Sequence, residues 1–213
     1  MTMLGIIEFP LFVGSVTLLN LTPGPDMAYV AGQSLANGRR AGILSALGVS
    51  FGGCVHTLAC AFGLSALIAA SPQIFNLIKW AGAIYLVYLG ISTLRSAGRV
   101  SPAELEFPTP HSPLRALLIR GFVTNVANPK VLLFYIAFLP QFVEAGSSQK
   151  TAALLILGSV MVVLGLLTDS FLACCAATVA RSMKKRASFG CTLHRLVGAT
   201  FIGMGVRLAI ATR

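Results

Sequence analysis

The stretch Thr22-Pro23-Gly24-Pro25-Asp26 interrupts a strongly apolar region that begins near Leu4 and runs to about Leu35. Proline lacks a backbone N–H and clashes with the preceding turn, so two prolines around a glycine cannot continue a helix. The stretch therefore predicts a helix that stops near Thr22, a short extended link, and a second helix that begins at about Pro25. Proline is well suited to the first position of such a helix.

A second break of the same kind occurs in the other half of the chain, at Asn125-Val126-Ala127-Asn128-Pro129-Lys130. Like the first, it places a charged residue directly after a proline. Interrupted hydrophobic segments at matching positions of two halves indicate the binding site of a transporter. The two breaks therefore predict one site to which both halves contribute.

The composition is that of a membrane protein. Of the 213 residues, 56% are hydrophobic and only 10% are charged, and the mean hydropathy is +0.84. Ordinary soluble domains are far less apolar. Residues 41–78 carry no charged side chain if His56 is neutral, which is enough to cross a hydrocarbon core that needs roughly 20 helical residues. We expect an all-α integral membrane protein in a lipid bilayer.

Polar and proline-containing turns divide the chain into six predicted spans. These are residues 4–36 with the first break, 41–70, 74–94, 114–142 with the second break, 151–180 and 193–211. Short basic connections are expected at residues 37–40 and 181–186. A proline-rich linker at residues 98–113 separates a first three-helix unit, residues 1–97, from a second, residues 114–213.

The distribution of basic residues predicts an orientation. With the N-terminus outside, the inside loops hold Arg39, Arg40, Arg95, Arg99, Arg115, Arg120, Arg181, Lys184, Lys185, Arg186 and Arg195. The outside loops and ends hold only Lys79, Lys150, Arg207 and Arg213. This is the positive-inside pattern, so both termini are predicted outside and the net charge of +10 does not indicate a nucleic-acid partner. The two units then start from opposite sides, which predicts a 3+3 inverted-topology repeat.

Three charged residues are predicted at membrane depth: Asp26, Lys130 and Asp169. Each costs on the order of 2.5–3.5 kcal/mol there, so such residues usually face the bundle interior and mark a pathway. A role in binding substrate or protons is the main interpretation. The alternative is a structural ion pair, for instance between Asp26 and Lys130.

The chemistry around the breaks suits a small zwitterion. A helix that begins at Pro25 presents unpaired N–H groups and a positive dipole end, which attract a carboxylate. Asp26 can accept an ammonium group or a proton, and asparagine amides can both donate and accept hydrogen bonds. The predicted substrate-binding residues are Thr22, Pro23, Gly24, Pro25, Asp26, Asn125, Asn128, Pro129 and Lys130.

Asp26, Asp169 and His56 are the predicted proton-coupling residues, although for His56 a hydrogen-bonded packing role is the favoured interpretation. The five cysteines and three histidines form no spacing typical of a zinc site. No nucleophile and base, and no phosphate loop, are visible. The sequence thus predicts no cofactor, no metal and no enzyme activity.

The segments Leu21-Thr-Pro-Gly-Pro-Asp26 and Asn37-Gly-Arg-Arg-Ala-Gly42 resemble the LysE/RhtB family of amino-acid exporters. Further matching segments are Ala81-Gly-Ala-Ile-Tyr-Leu86, Tyr88-Leu-Gly90, residues 122–130 and Phe138-Leu-Pro-Gln-Phe142. The resemblance implies a multi-pass protein of the bacterial inner membrane, in which the termini that the charge distribution predicts outside are periplasmic. It also implies secondary active efflux of small neutral amino acids, of the threonine, homoserine or leucine type, by proton antiport.

Two other functions remain compatible with the residues themselves. One is export of another small solute or ion, and the other is a membrane scaffold that transports nothing. A scaffold has no need of charges at membrane depth, whereas an exporter does. The amino acid, the coupling ion and whether the protein forms a homo-oligomer are left open by the sequence.

Overall fold

A computed structural model of the chain describes residues 3–22, 24–64, 113–144 and 146–185, with isolated residues between 73 and 95 and between 199 and 206. In these ranges the regular structure is helical, apart from one isolated bridge between Ile6 and Val143. The all-α class is therefore confirmed for the described residues. Apart from those isolated residues, the third and sixth predicted spans and nearly all of the linker lie outside the described part of the chain.

The described bundle is built from α1 (Phe9–Leu21), α2 (Pro25–Asn37), α3 (Arg39–Leu58), α4 (Leu114–Val126), α5 (Pro129–Phe138) and α6 (Lys150–Lys185). A 3-10 turn, Met3–Gly5, precedes α1; a π-helical segment, Ala59–Leu64, continues α3; and a 3-10 turn, Leu139–Phe142, continues α5. By length and composition, Arg39–Gly63 and Lys150–Ala176 can each cross a membrane. The bent pair of α4 and α5 is a third span if it is counted as one.

Both proline breaks occur where the sequence predicts them. α1 ends at Leu21 and α2 begins at Pro25, while α4 ends at Val126 and α5 begins at Pro129 after a bend of 53°. α1, α2 and α4 have 13 residues each, which corresponds to about 20 Å of helix. Neither half-helix alone matches a hydrocarbon core of about 30 Å, so each break lies well inside its span.

Two connections that were predicted as basic loops are helical instead. The turn expected at residues 37–40 is reduced to Gly38, whose φ of +84° suits glycine, and Arg39 already begins α3. The loop expected at residues 181–186 is part of α6 as far as Lys185. Both predictions treated charge as the end of a helix. Arginine and lysine are good helix formers, so a helix continues beyond its apolar stretch.

Several basic residues of the described helices lie at one end of the bundle. α3 and α6 are antiparallel: a Cβ on Gly42 would lie 2.8 Å from the Cβ of Ala173, and Gly158 lies against Thr57. α2 and α6 therefore end where α3 and α4 begin. This basic end carries Arg39, Arg40, Arg115, Lys184 and Lys185.

At the opposite end of the bundle the chain before α1 pairs with the chain after α5. The N–H of Ile7 donates to the carbonyl of Phe142 at 2.9 Å, and that of Glu144 donates to the carbonyl of Gly5 at 2.8 Å. Beneath this pairing lies the larger apolar core, in which the rings of Phe12 and Phe142 are 5.2 Å apart. The start of the first broken helix is thus fixed to the end of the second.

Glycines allow α3 to pack closely on α4. A Cβ on Gly121 would lie 2.5 Å from the carbonyl oxygen of Ser45 and 3.1 Å from the amide nitrogen of Val49. On the other side of the crossing, Gly48 contacts the backbone carbonyl of Leu118. Small residues thus let the backbones approach closely, and α3 packs against α2, α4 and α6.

We expect Gly121→Ala to destabilise the protein and Gly14→Ala not to. A methyl group at Gly121 meets backbone that cannot move aside, whereas one at Gly14 meets no atom within 4 Å. Overpacking of this kind costs about 1–3 kcal/mol, while alanine is the better helix former. Melting temperatures of both variants in detergent check the expectation. Equal melting temperatures would mean that α3 and α4 are not this close.

Candidate functional site

The end of α1 is held by a lysine from the other broken helix. The ammonium group of Lys130, in the first turn of α5, donates to the carbonyl oxygens of Thr22 at 3.1 Å and Leu19 at 3.3 Å. The last carbonyl groups of a helix lack intrahelical partners and carry partial negative charge. The cation therefore satisfies the carbonyl of Thr22 at the break, and it shares the carbonyl of Leu19 with the N–H of Thr22, which donates to it at 3.0 Å.

The start of α2 is held by two asparagines from the other broken helix. Oδ2 of Asp26 accepts hydrogen bonds from the amide groups of Asn125 at 2.8 Å and Asn128 at 3.2 Å. Oδ1 of the same carboxylate is buried and has no hydrogen-bond partner among the described residues. One oxygen of Asp26 is thus structural, and the other remains available inside the protein.

The two helix starts differ in one respect. At α5, Oδ1 of Asn128 accepts from the N–H of Lys130 at 3.0 Å, so this N-terminus is capped. At α2 the preceding residue is Gly24, which has no side chain to offer, and the first intrahelical bond runs from Ala28 to Gly24. Pro25 has no N–H. Within the described part of the chain, no side-chain cap is therefore seen for the N–H groups of Asp26 and Met27.

The structural ion pair considered as an alternative is not formed between Asp26 and Lys130, both of which the structure describes. Each charge is held by neutral groups instead: the carboxylate by amide groups and the ammonium by carbonyl groups. Gly24 lies close to the ammonium, since a Cβ built on it would be 3.6 Å from Nζ. Its backbone is extended, with φ −162° and ψ 178°, so any residue could adopt it. A side chain there would act by filling this space.

A cavity of about 80 Å³ lies between the two breaks and α6. Its polar lining is Asn20, Thr22, Asp26, Ser50, Asn125, Asn128, Lys130, Tyr135 and Asp169. Its apolar lining includes Leu19, Met27, Val49, Val131, Met161 and Val162. The space is below the roughly 300–1,000 Å³ of usual small-ligand sites, so an amino acid requires the helices to move apart.

Asp169 is brought to the same cavity from α6. It is 9% exposed, and it accepts no hydrogen bond from any residue in the described ranges. It lies near enough to Asp26 and Lys130 to interact with both charges. The three charges predicted at membrane depth therefore share one site, with one more carboxylate than ammonium group.

The model of the LysE type translocator family matches residues 17–212. The chain belongs to that family. The relatives that it matches span its whole length. It is 34% identical to an uncharacterized membrane protein of Pseudomonas aeruginosa, covering 100% of this chain and 99% of the relative. It is 31% identical to the leucine efflux protein of an Enterobacter strain and 29% identical to that of Klebsiella pneumoniae, with 96% of each chain covered in both cases. No solved structure matches at a significant level.

In this LysE-type chain the predicted residues do not all reach the cavity. Thr22, Gly24, Asp26, Asn125, Asn128, Lys130 and Asp169 line it, Pro25 and Pro129 only start their helices, and Pro23 lies outside the described residues. His56 is 5% exposed and lies behind Asn125, outside the lining of the cavity. Its Nε2 lies 3.2 Å from the carbonyl oxygen of Asn125, and because a carbonyl only accepts, Nε2 carries the hydrogen.

Sequence reasoning missed several lining residues. Asn20 has a buried amide nitrogen with no partner in the described part of the chain, and it lies 4.0 Å from a Cβ built on Gly165. Tyr135 accepts a hydrogen bond from Thr57 at 3.1 Å beneath the cavity. An asparagine two residues before the proline break was a usable signal, since amides are rare in apolar helices. The sequence gave no such signal for Tyr135, because a tyrosine in a membrane span is usual.

We expect Asn128→Asp to destabilise the protein, and Asp26→Asn in the same chain to restore much of the loss. The new carboxylate still accepts the N–H of Lys130. In the wild-type protein the amide of Asn128 donates to Oδ2 of Asp26 at 3.2 Å, and in the variant a second carboxylate faces that oxygen instead. A lost buried hydrogen bond costs about 1–3 kcal/mol, or roughly 3–10 °C in melting temperature for a chain of this size. The double variant restores one donor and one acceptor. A double variant no more stable than Asn128→Asp would show that the two side chains do not interact.

Proposed function

We propose that this LysE-type protein exports small neutral amino acids across the bacterial inner membrane by secondary active transport, in exchange for protons. The proposal is supported above all by the unmet hydrogen-bonding groups around the cavity. Oδ1 of Asp26 and the carboxylate of Asp169 are acceptors without a donor among the described residues. The ammonium of Lys130 uses two carbonyl groups and has three N–H donors. A zwitterion, which presents a carboxylate and an ammonium group, matches both sets.

The substrate carboxylate binds at the start of α2. The uncapped N–H groups of Asp26 and Met27, the positive dipole end and the ammonium of Lys130 all favour an anion next to Gly24. The capped start of α5 is a poorer choice, because Asn128 already serves its N–H group. Asn128 and Asn125 thus orient Asp26, and the substrate ammonium binds between Oδ1 of Asp26 and Asp169.

The side chain of the substrate is aliphatic. Away from the charges, the cavity is bounded by methionine and branched aliphatic residues, which suit a leucine-like group better than a charged or strongly polar one. Methionine side chains also adapt to different shapes. The relatives named leucine efflux proteins support the same choice, and threonine and homoserine are the smaller neutral candidates.

Proton coupling follows from the charge of the site. Two carboxylates and one ammonium leave one uncompensated negative charge in a region of low dielectric, where an unpaired charge is costly. One proton removes that charge when no substrate is bound. Among the described residues, Asp26 accepts two hydrogen bonds and Asp169 accepts none, so Asp169 is the residue that carries the proton. His56, which contacts the carbonyl of Asn125, is the remaining candidate for a proton relay.

The membrane arrangement that fits this function is the six-span 3+3 inverted repeat, with units at residues 1–97 and 114–213 joined by a cytoplasmic linker at 98–113. Pro25-Asp26 and Pro129-Lys130 take the same position in their broken helices, just after each break. The basic end of the bundle is cytoplasmic by the positive-inside rule, and both termini are periplasmic.

Reconstituted protein is expected to exchange labelled leucine across liposomes that carry unlabelled leucine inside. Leucine should compete for this exchange, whereas leucinamide should compete poorly, because it lacks the carboxylate that the start of α2 attracts. Protein-free liposomes are the control for leakage. Equal competition by leucinamide would overturn the carboxylate assignment, and no exchange of any neutral amino acid would overturn the proposed function.

Asp169→Asn is expected to abolish uphill export driven by a pH gradient but to retain substrate exchange, because the amide resembles the protonated acid. The matched control is Glu144→Gln, which removes an exposed carboxylate outside the cavity. Export and exchange are measured in the same vesicles. Full gradient-driven export by Asp169→Asn would remove Asp169 from the coupling, and the same loss in Asp26→Asn alone would transfer the role to Asp26.

A further inference from the structure

A second group of buried polar side chains lies between the cavity and the basic end of the bundle. Gln33 and Ser45 are 0% exposed, Ser34 is 9% exposed, and Tyr29 is half-buried. They belong to α2 and α3 and do not line the cavity itself. Neither the helix breaks nor the charged groups account for them. Polar groups at this depth are costly, so each needs a physical reason.

Two members of this group have a buried polar atom without a hydrogen-bond partner among the described residues: the hydroxyl of Ser45 and the amide of Gln33. Oε1 of Gln33 accepts from the amide of Asn37 at 2.9 Å, but its Nε2 is buried and has no partner among the described residues. A leucine or methionine would fill the same position without this penalty. A buried donor of this kind is reasonable in a transporter if water or solute reaches it in another conformation.

The group is continuous with the binding site. Asp26, Tyr29 and Gln33 follow one another at intervals of three and four residues, so they share one face of α2. On α3, Ser45 lies one turn from Val49, which lines the cavity, and next to the hydroxyl of Tyr29. A line of polar side chains therefore leads from the carboxylate of Asp26 toward the basic end.

Two hydrogen bonds close this line by tying α2 to its neighbours. The hydroxyl of Tyr29 donates to the carbonyl of Leu117 in α4 at 2.9 Å, and that of Ser34 donates to the carbonyl of Ala173 in α6 at 2.5 Å. Water can replace either acceptor at little net cost, since both partners would remain hydrogen-bonded. Small shifts of α2 therefore suffice to open the line.

The other side of the cavity is closed in a different way. There the rings of Phe12, Phe134, Phe138 and Phe142 pack together, with centroid distances of 4.2 Å between Phe134 and Phe138 and 4.6 Å between Phe138 and Phe142. Such a cluster offers water no hydrogen-bond partner. The polar line on α2 and the aromatic cluster thus differ in the ease with which each becomes hydrated.

We propose that Tyr29, Gln33, Ser34 and Ser45 line the route by which solute passes between the basic end and the cavity, and that the Tyr29 and Ser34 hydrogen bonds close it. The inference rests on the proposed function, because a route is meaningful only if a solute moves. In the open form Gln33 donates to water or to the passing solute. Its unmet donor makes the closed form less stable than an apolar residue would, which favours opening.

Gln33→Met tests whether the unmet donor of Gln33 destabilises the closed form. The variant is expected to melt at a higher temperature, because the closed form no longer carries an unmet donor. For the same reason it is expected to exchange leucine more slowly, by up to roughly tenfold. The matched control is Gln141→Met, which removes only a local bond to the carbonyl of Ala137. Exchange by Gln33→Met at the wild-type rate would overturn the inference. If no variant and no wild-type protein exchanges any amino acid, the proposed function fails instead.

Thiol labelling tests the route independently of that variant. In a chain whose native cysteines are replaced, Ser34→Cys should react with an impermeant reagent added at the side of the basic end. Ser148→Cys, exposed at the opposite end, identifies the other side. Ser15→Cys, 5% exposed in α1, is the control for a buried serine away from the route. If Ser34→Cys reacts no faster than Ser15→Cys while exchange continues, the route lies elsewhere, whether or not Gln33→Met is folded.

Discussion

The set of hydrogen bonds that joins the two broken helices is the interaction on which the rest of this bundle depends. A break inside a membrane exposes backbone groups that lipid cannot satisfy. Here Lys130 serves the carbonyl groups at the end of α1, and Asn125 and Asn128 hold Asp26 at the start of α2. Residues of the second break thus stabilise the first, while the start of α5 is capped by its own Asn128. The polar site exists because the first broken helix is not complete without the second.

Much of this arrangement can be predicted from sequence because proline acts locally. The positions of Pro25 and Pro129 determine where the helices restart, whatever surrounds them. Charge at membrane depth is equally direct, since Asp26, Lys130 and Asp169 are too costly to face lipid and so converge inside. The family and the membrane-protein class can be predicted from the same residues, because a proline in a helix and a charge at membrane depth each restrict the local structure strictly.

The parts that escaped prediction depend on which helices meet. From sequence, Asp26 and Lys130 are opposite charges that are free to pair. Only the packing of α1 on α5 shows that carbonyl groups reach the ammonium first. The close contact at Gly121 and the unmet donor of Gln33 are likewise properties of neighbours far along the chain. The ends of α3 and α6 were misjudged because charge was taken as a helix stop, although arginine and lysine extend helices.

The dependence of the first break on the other half has a consequence for biosynthesis. α1 has 13 residues, too few for the roughly 20 that span a bilayer, and its terminal carbonyl groups are served by a lysine that is translated only in the second half. While the first unit leaves the ribosome, its break has no partner and must remain hydrated or be shielded by the insertion machinery. We therefore expect the polar site to be completed only when the segment that carries Lys130 reaches the end of α1.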